Sequence, residues 1–570
     1  MAKIGGRAVC FLLLALGILV AVIVLASILA PRGSSCPSRS YPTAAVAADS
    51  RSCSDIGRDI LERGGSAVDA AIAALVCTCV LNPQSMGLGG GVIFTVYDAS
   101  TGEVEVINAR ETVPEASPRN LQERCRRDQP LGKGVYWIGI PGELRGYQLA
   151  HRRHGRLPWA QLFKPTIRLL REGFRVPKVL SAFLNSSLSL AINSSSLRQL
   201  FFRGQKPLAE GELLQWPALA RTLEAVAEKG ADELYEGALA EDLLADLALE
   251  GSQLTKEDLA GFRPEVVKPL ALNLGNYTLY SPPPPAGGAI LSFVLNVLQG
   301  FRFSQDALAQ LEGKVSTYHR IVETLKFANG LRWKLRDPRS YPEAPDIYKE
   351  LLTEELAQEV RDRIGPRGDH APSYYNVSAR AGPEAGTSHV AVLGADGSAV
   401  SATSTINIPF GSMVYSPKTG LILNNQLLDF CWRETPGSSK LLDPVPGERP
   451  PSSMVPSILI SKDQKSLLVI GGSGGQMIIP ATALAIVNNL WFGLNLHDAI
   501  KAKILHVRPT TKLLFEPGFD EEIKNGLIRR GHEVEEVSFW LNVVQAVAKD
   551  GPGCIHAESD LRKLGEAAGY

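Results

Sequence analysis

From Ala8 to Ala30 the 570-residue chain runs without a charged side chain, built chiefly of Leu, Val, Ile and Ala. No other stretch limits so sharply what such a chain can become. As a helix it would rise about 34 Å, enough for a hydrocarbon core of roughly 30 Å. Lys3 and Arg7 precede the run and Arg32 follows it, a bias toward a cytoplasmic N-terminus. The expectation is a cytoplasmic tail over 1–7 and an uncleaved transmembrane signal-anchor over 8–30. A cleaved signal peptide is the rival reading. Its apolar region typically spans about 7–15 residues and ends on small side chains, which Ser27 and Ala30 supply. With an anchor in place the protein is single-pass, type II, at the plasma membrane, with the rest of the chain extracellular. The Ser-, Pro- and Arg-rich stretch over 31–43 reads as a stalk.

An extracellular address agrees with four Asn-X-Ser/Thr sequons, at Asn185, Asn193, Asn276 and Asn376. Of the eight cysteines, Cys10 lies in the apolar run. The other seven are an odd number, so at least one thiol stays free or pairs between chains. None shows a CxxC spacing. Lys+Arg and Asp+Glu both total 59, and without a basic block or zinc-finger spacing a nucleic-acid partner is not expected. Hydrophobic residues make up 45% of the chain, sufficient for a large core.

Downstream, Ala44 to Ala48 suits a buried strand, and helices are expected over Ser54–Arg63 and Ser66–Leu81. Ser66 is a good N-cap, and Asp69 falls in the first turn, where negative charge suits the helix dipole. Cys53 and Cys77 flank this pair and could clip it. Gly87 to Phe94 lacks the Gly-Lys-Ser/Thr ending of a phosphate loop and reads as a tight turn feeding a strand. Val104 to Ala109 alternates as a strand, with Arg110 at its end. The region 143–270 is mostly amphipathic helix. His151 and His154 sit there among arginines, so a solvated basic face is expected rather than a metal site. Ser281 to Gly288 (SPPPPAGG) is a rigid loop or connector, and a helix follows over Ala289–Leu298. In the last third, strands are expected at His389–Leu393, Ala399–Ser404, Gly420–Leu423, Ile458–Ile460 and Leu467–Ile470, with a buried helix over Ala481–Phe492. Strand-rich sheets flanked by helices suggest a layered αββα domain in this part.

Four short patterns carry the chemistry: Gly386-Thr387-Ser388-His389, Ser404-Thr405-Ile406-Asn407, Pro451-Ser452-Ser453-Met454 and Gly471-Gly472-Ser473-Gly474-Gly475. Each alone is an ordinary turn or loop. In this order, with Arg110 upstream, the set resembles the gamma-glutamyltransferase family. Gly87–Gly91, INAR ending at Arg110, PGELRGY over Pro141–Tyr147 and the C-terminal GEAAGY support it. Within that family, SPPPPAGG and Ile408-Pro409-Phe410 are most similar to the member that hydrolyses glutathione-conjugated leukotrienes.

The resemblance implies an α/β fold of the N-terminal-nucleophile hydrolase type, a four-layer αββα sandwich formed by two self-cleaved chains. The cut falls between Gly386 and Thr387, giving a large subunit over 44–386 and a small catalytic subunit over 387–570 that remain together as a heterodimer. An internal threonine has no adjacent base. Once freed, its α-amine has a reference pKa of about 7.7–8.0 and can accept the proton of its own hydroxyl. The resemblance assigns the oxyanion to the backbone N–H groups of Gly474 and Gly475, and the positioning of the nucleophile to Thr405. It assigns the substrate α-carboxylate to Arg110, Ser452 and Ser453, and the α-ammonium to Asn407, Gln426 and Asp429. Gln426 departs from animal members that carry Glu there, which should weaken ammonium binding. Pro409 stands where others carry an aromatic, which bears on acceptor preference. A Cys53–Cys77 bridge is also implied. Glutathione and its conjugates are the expected donors, with water, amino acids or dipeptides as acceptors. No metal or organic cofactor is indicated. Two rival readings remain: an N-terminal-nucleophile acylase for another side chain, and an uncleaved, inactive membrane glycoprotein.

Overall fold

The strands expected in the last third form at Ser388–Leu393 and Ala399–Thr405, pair antiparallel, and are buried at every position. A strand covered on both faces must lie inside a stack of layers, and the computed structural model shows that stack. It describes residues 36–116, 120–341, 346–377, 386–432, 443–536 and 542–570. The expected tail, membrane span and first part of the stalk lie outside the described residues. Among the described residues no helix is long and apolar enough to cross a membrane. Met1–Ser38 and Arg39–Tyr570 are separate units, and the layers belong to the second.

Two seven-stranded sheets form its centre. One runs in the order Ala568–Gly569, Ala45–Ala47, Ser388–Leu393, Ala399–Thr405, Gly91–Asp98, Glu103–Ala109, Glu265–Val267. The other runs Ser40–Tyr41, Ile555–Glu558, Val543–Lys549, Leu467–Ser473, Ser457–Ser461, Tyr277–Ser281, Leu270–Leu274. Side chains alternate faces along a strand, and the partition is clean. Ala391, Leu393 and Ala399 meet Ile458, Val469 and Val547 between the sheets. Val390, Val392 and Val400 point the other way, into a core shared with the Ala67–Leu81 helix. Leu468, Ile470 and Val544 likewise face a core shared with the Gly288–Gln299 and Ile478–Leu490 helices. The architecture is therefore helix, sheet, sheet, helix.

The sandwich is not confined to the last third, as the strand pattern there suggested. Ala45–Ala47, Gly91–Asp98 and Glu103–Ala109 flank the two central strands of the first sheet, so both sides of residue 386 share one sheet. Gly420–Leu423 is not a strand. Ser416 N–H donates to Leu421 O and Gly420 N–H to Ser416 O, closing a tight turn, and only isolated bridges join Gly89 to Leu423 and Tyr415 to Ile422. The basic face around His151 and His154 is also less solvated than expected. His154 Nε2 lies 2.7 Å from Glu105 Oε1, which Arg153 also contacts, and His151 packs edge-on against Trp159.

Of the paired helices observed at Arg51–Glu62 and Ala67–Leu81, the second follows from its cap. Ser66 Oγ accepts the Asp69 N–H while Asp69 Oδ2 accepts the Ser66 N–H, a reciprocal capping box. A Cys53–Cys77 disulfide clips the two helices. Cys79 is a free, buried thiol, and burial pushes it far above the usual thiol range. A second bridge, Cys125–Cys431, spans 306 residues; nothing in the sequence pattern pointed to it.

Asp69 Oδ2 also accepts the backbone N–H groups of Arg156 and Leu157, so one carboxylate joins this helix start to the turn after the Glu143–His154 helix. Asp69→Ala strips all three donors at once and should cost about 2–4 kcal/mol, read by chemical denaturation. A loss below 0.5 kcal/mol, within the range of about ±0.5 for ordinary surface changes, would show that the carboxylate is not a junction.

Candidate active site

Thr387 stands at the head of the Ser388–Leu393 strand. Because Ser388 pairs with Ser404, Thr387 lies opposite the end of the neighbouring strand, and its Oγ1 donates to Thr405 Oγ1 at 3.0 Å. Thr405 Oγ1 also accepts the Asn407 N–H at 2.8 Å, which fixes that hydroxyl. Thr387 N–H donates to Ser85 O at 2.9 Å, and Lys563 Nζ donates to Thr387 O at 2.7 Å. Held at all three polar positions, Thr387 adopts φ +74°. That is costly for a β-branched residue, of order 1–3 kcal/mol, and the strain lies beside one particular peptide bond.

The preceding residue has to be glycine. Gly386 has φ +101°, and a Cβ there would stand 1.9 Å from Asn407 O. The Gly386 carbonyl oxygen accepts the Gly474 N–H at 3.2 Å. Gly474 and Gly475, with φ +121° and +57°, turn the chain out of the Leu467–Ser473 strand toward the Ile478–Leu490 helix. Their N–H groups therefore cluster near a helix start, where donors favour developing negative charge.

Arg110, 1% exposed, ends the Glu103–Ala109 strand. Its Nη2 donates to Asp429 Oδ2 at 2.6 Å and to Pro451 O at 3.0 Å, and its Nε donates to Pro450 O at 3.1 Å. Gln426 Nε2 donates to the same Asp429 oxygen at 2.7 Å. Burial pushes the Asp429 carboxyl above its usual range, against the pull of Arg110, Gln426 and Asn407. Behind the pair, Glu111 lies 3.7 Å from Arg110 Nη1 and is pushed up to about 7 by burial.

One cavity is lined by Arg110, Thr387, Thr405, Asn407, Gln426, Asp429, Ser452, Ser453 and Gly475. Every residue expected in cleavage, catalysis or substrate binding thus converges there except Gly386 and Gly474, which are engaged with each other just behind it. The SPPPPAGG loop supports the serines: Ser452 N–H donates to Pro285 O at 2.7 Å, and Gly287 N–H to Met454 O at 3.0 Å. Among the described residues no group of His, Cys, Asp and Glu could hold a metal ion. Asn185, Asn276 and Asn376 are exposed, and Asn193 is half-buried.

Three contributors had no signature in the sequence. Arg332 reaches the cavity from the short turn after the Leu311–Gly330 helix, and Trp333 stands beside it. Lys563, buried near the C-terminus, bridges Thr387 O and Asp49 Oδ2, each at 2.7 Å. None belongs to a spaced motif, and only the fold brings them in.

A gamma-glutamyltranspeptidase family profile matches residues 53–570. The chain is 60% identical to the glutathione hydrolase 5 proenzyme of Rattus norvegicus, covering 99% of each chain, and 58% identical to that of Homo sapiens, covering 100% of each. Among solved structures, a cephalosporin acylase from Bacillus halodurans superimposes with a TM-score of 0.81 at 26% identity, over 95% of this chain and 99% of that one. The gamma-glutamyltranspeptidase of Helicobacter pylori gives a TM-score of 0.51 at 26% identity, over 55% of this chain and 90% of that one. With the profile spanning all but the N-terminal tenth, and relatives alike from end to end, this chain belongs to the gamma-glutamyltranspeptidase family.

Proposed function

We propose that the chain cuts itself between Gly386 and Thr387 and then acts as a γ-glutamyl hydrolase and transferase with Thr387 as nucleophile. The observation that carries this is the Gly386 carbonyl resting on the Gly474 N–H while Thr387 Oγ1 engages Thr405. In the cut, Oγ1 attacks the Gly386 carbonyl carbon and the C–N bond breaks, leaving an ester on Oγ1 and a free amine on Thr387. Water hydrolyses the ester, releasing the Gly386 carboxylate and restoring the hydroxyl. The amine, now protonatable, serves as base for that hydroxyl. Departure of Gly386 also frees the Gly474 N–H, which joins that of Gly475 as an oxyanion donor pair.

In turnover, Oγ1 attacks the γ-carbonyl of the donor and its proton passes to the Thr387 amine. The tetrahedral oxyanion is held by Gly474 and Gly475, and the proton then passes to the leaving amine. A γ-glutamyl ester remains on Thr387 until water, an amino acid or a dipeptide takes it. Substrate choice rests on charge. Arg110 and Asp429 pair with each other, and a γ-glutamyl group brings both an α-carboxylate and an α-ammonium, so it can satisfy each in turn. An uncharged acyl group would leave them unserved. For this reason the likeness to a cephalosporin acylase reflects the fold and does not select the substrate.

Glutathione is the donor that the names of the relatives support, and SPPPPAGG with Ile408-Pro409-Phe410 favours leukotriene conjugates of it. Gln426, neutral but bonded to Asp429, leaves one negative charge for the ammonium. The apolar run over 8–30, the exposed sequons and the disulfides favour a glycosylated extracellular enzyme on a type II anchor. The small segment would hold its place after the cut. Its strands at 388–405 lie between those of the large segment, and Cys125–Cys431 crosses the cut.

Thr387→Ala should abolish both turnover and the appearance of two bands on a reducing denaturing gel; turnover in that variant would remove Thr387 as nucleophile. Arg110→Lys should raise KM about 10- to 100-fold with a smaller change in kcat, because one ammonium cannot reproduce a two-point contact. An unchanged KM would take Arg110 out of the pocket.

A further inference from the structure

Arg332 is a cation that neither self-cleavage nor turnover has so far required. It begins the turn Arg332–Lys334, and its guanidinium is placed by three hydrogen bonds. Nε donates to Asn329 Oδ1 at 3.1 Å, Nη1 to Ser453 Oγ at 2.7 Å and Nη2 to Gln476 O at 3.0 Å. Desolvation lowers its pKa to about 10, and among the described residues no acidic neighbour offsets it. Arg449 differs: it is lowered just as far, but Glu265 and Asp337 pull the other way. The Arg332 side chain lines the same cavity as Thr387 and Arg110.

Two of its three acceptors, Ser453 Oγ and Gln476 O, belong to the two loops that matter most for the chemistry. Ser453 is one of the serines assigned to the α-carboxylate. A hydroxyl has one donor and two acceptor positions. With Arg332 occupying an acceptor position, the Ser453 proton is left to donate. Gln476 directly follows Gly475, so the second guanidinium bond holds the far end of the oxyanion turn. One planar, rigid group thereby spans the carboxylate-reading loop and the oxyanion loop, and among the described residues no carboxylate pairs with it.

We infer that Arg332 is a positioning residue for donor recognition: it aims the Ser453 hydroxyl at the donor's α-carboxylate and keeps that reader in register with the Gly474–Gly475 turn. This rests on the γ-glutamyl reading of the site and adds to it a residue that acts through Ser453. The class of ligand it serves is an α-amino acid carboxylate, and it should be indifferent to donors in which that carboxylate is an uncharged amide.

The test is a double-mutant cycle in the full-length chain, with Arg332→Gln, Ser453→Ala and the pair, each assayed on a γ-glutamyl donor and on its α-carboxamide analogue. Arg332→Lys is carried alongside as the conservative variant. Thermal midpoint and the fraction of chain cut at Gly386–Thr387 are recorded first, and rates are expressed per cut chain. Arg332→Gln should lower kcat/KM for the carboxylate donor about 10- to 100-fold, the size expected for a hydrogen bond to a charged group. The carboxamide donor should change less than about 3-fold. The Ser453→Ala loss should largely vanish in the Arg332→Gln background, and Arg332→Lys should fall between. If Arg332→Gln yields no cut chain, Arg332→Lys and Ser453→Ala complete the cycle. Equal losses on both donors, or losses that multiply independently, would overturn the assignment of Arg332. If the unsubstituted enzyme itself does not distinguish the two donors, it is the charge-reading pocket that fails.

Discussion

The structure depends on the confinement of a single peptide bond. Gly386–Thr387 is held by Ser85, Lys563, Thr405 and Gly474, four residues drawn from both ends of the chain. The contact at Gly386 leaves no room for a Cβ, and Thr387 is forced to a positive φ that a β-branched side chain disfavours. Such a bond is expensive to keep intact, and the layers around it are what keep it in place. The central strands on which it lies are buried on both faces, so Thr387 cannot relax without moving two sheets.

Under the proposed function, the same confinement lets one site serve two reactions. In the intact chain the Gly386 carbonyl occupies a donor that a substrate oxyanion would need. The precursor is therefore loaded with its own peptide and closed to others. The charge readers stand apart from that contact. Arg110 and Asp429 satisfy one another, and each is costly to leave unpaired at such burial. On the proposed reading, a zwitterionic ligand resolves both charges together, and selectivity follows from the desolvation of the pocket itself. The main-chain bonds of the SPPPPAGG loop to Ser452 and Met454 give the proline run a place in the site: a stiff loop fixes the backbone that carries the two serines.

Much of this was readable in the sequence, and the reasons differ by element. The αββα order followed from strand-rich segments flanked by helices and from the family resemblance, and the helix start at Ser66 from its capping chemistry. Thr387, Thr405, the paired serines and the Gly474–Gly475 turn were legible as candidates because each lies in a short pattern, and the structure brings them together. Gly420–Leu423 misled because three apolar residues after a glycine suit a turn as well as a strand. The strands before residue 110 were expected individually, but not their order beside Ser388–Thr405, because strand pairing over hundreds of residues leaves no periodic trace. The Cys125–Cys431 pairing was hidden for the same reason. Arg332 and Lys563 lie outside every motif, and their roles exist only once distant loops meet.

The central claim is that the nucleophile is a threonine whose amine was released from Gly386. The most direct measurement is to trap the acyl-enzyme from the mature protein with a slowly turned-over γ-glutamyl donor, then map the acylated peptide by mass spectrometry. The account predicts a peptide that begins at Thr387, with a free α-amine and the glutamyl ester on its side-chain oxygen. An acyl group on any other residue, or on a peptide still continuous through Gly386, would contradict it.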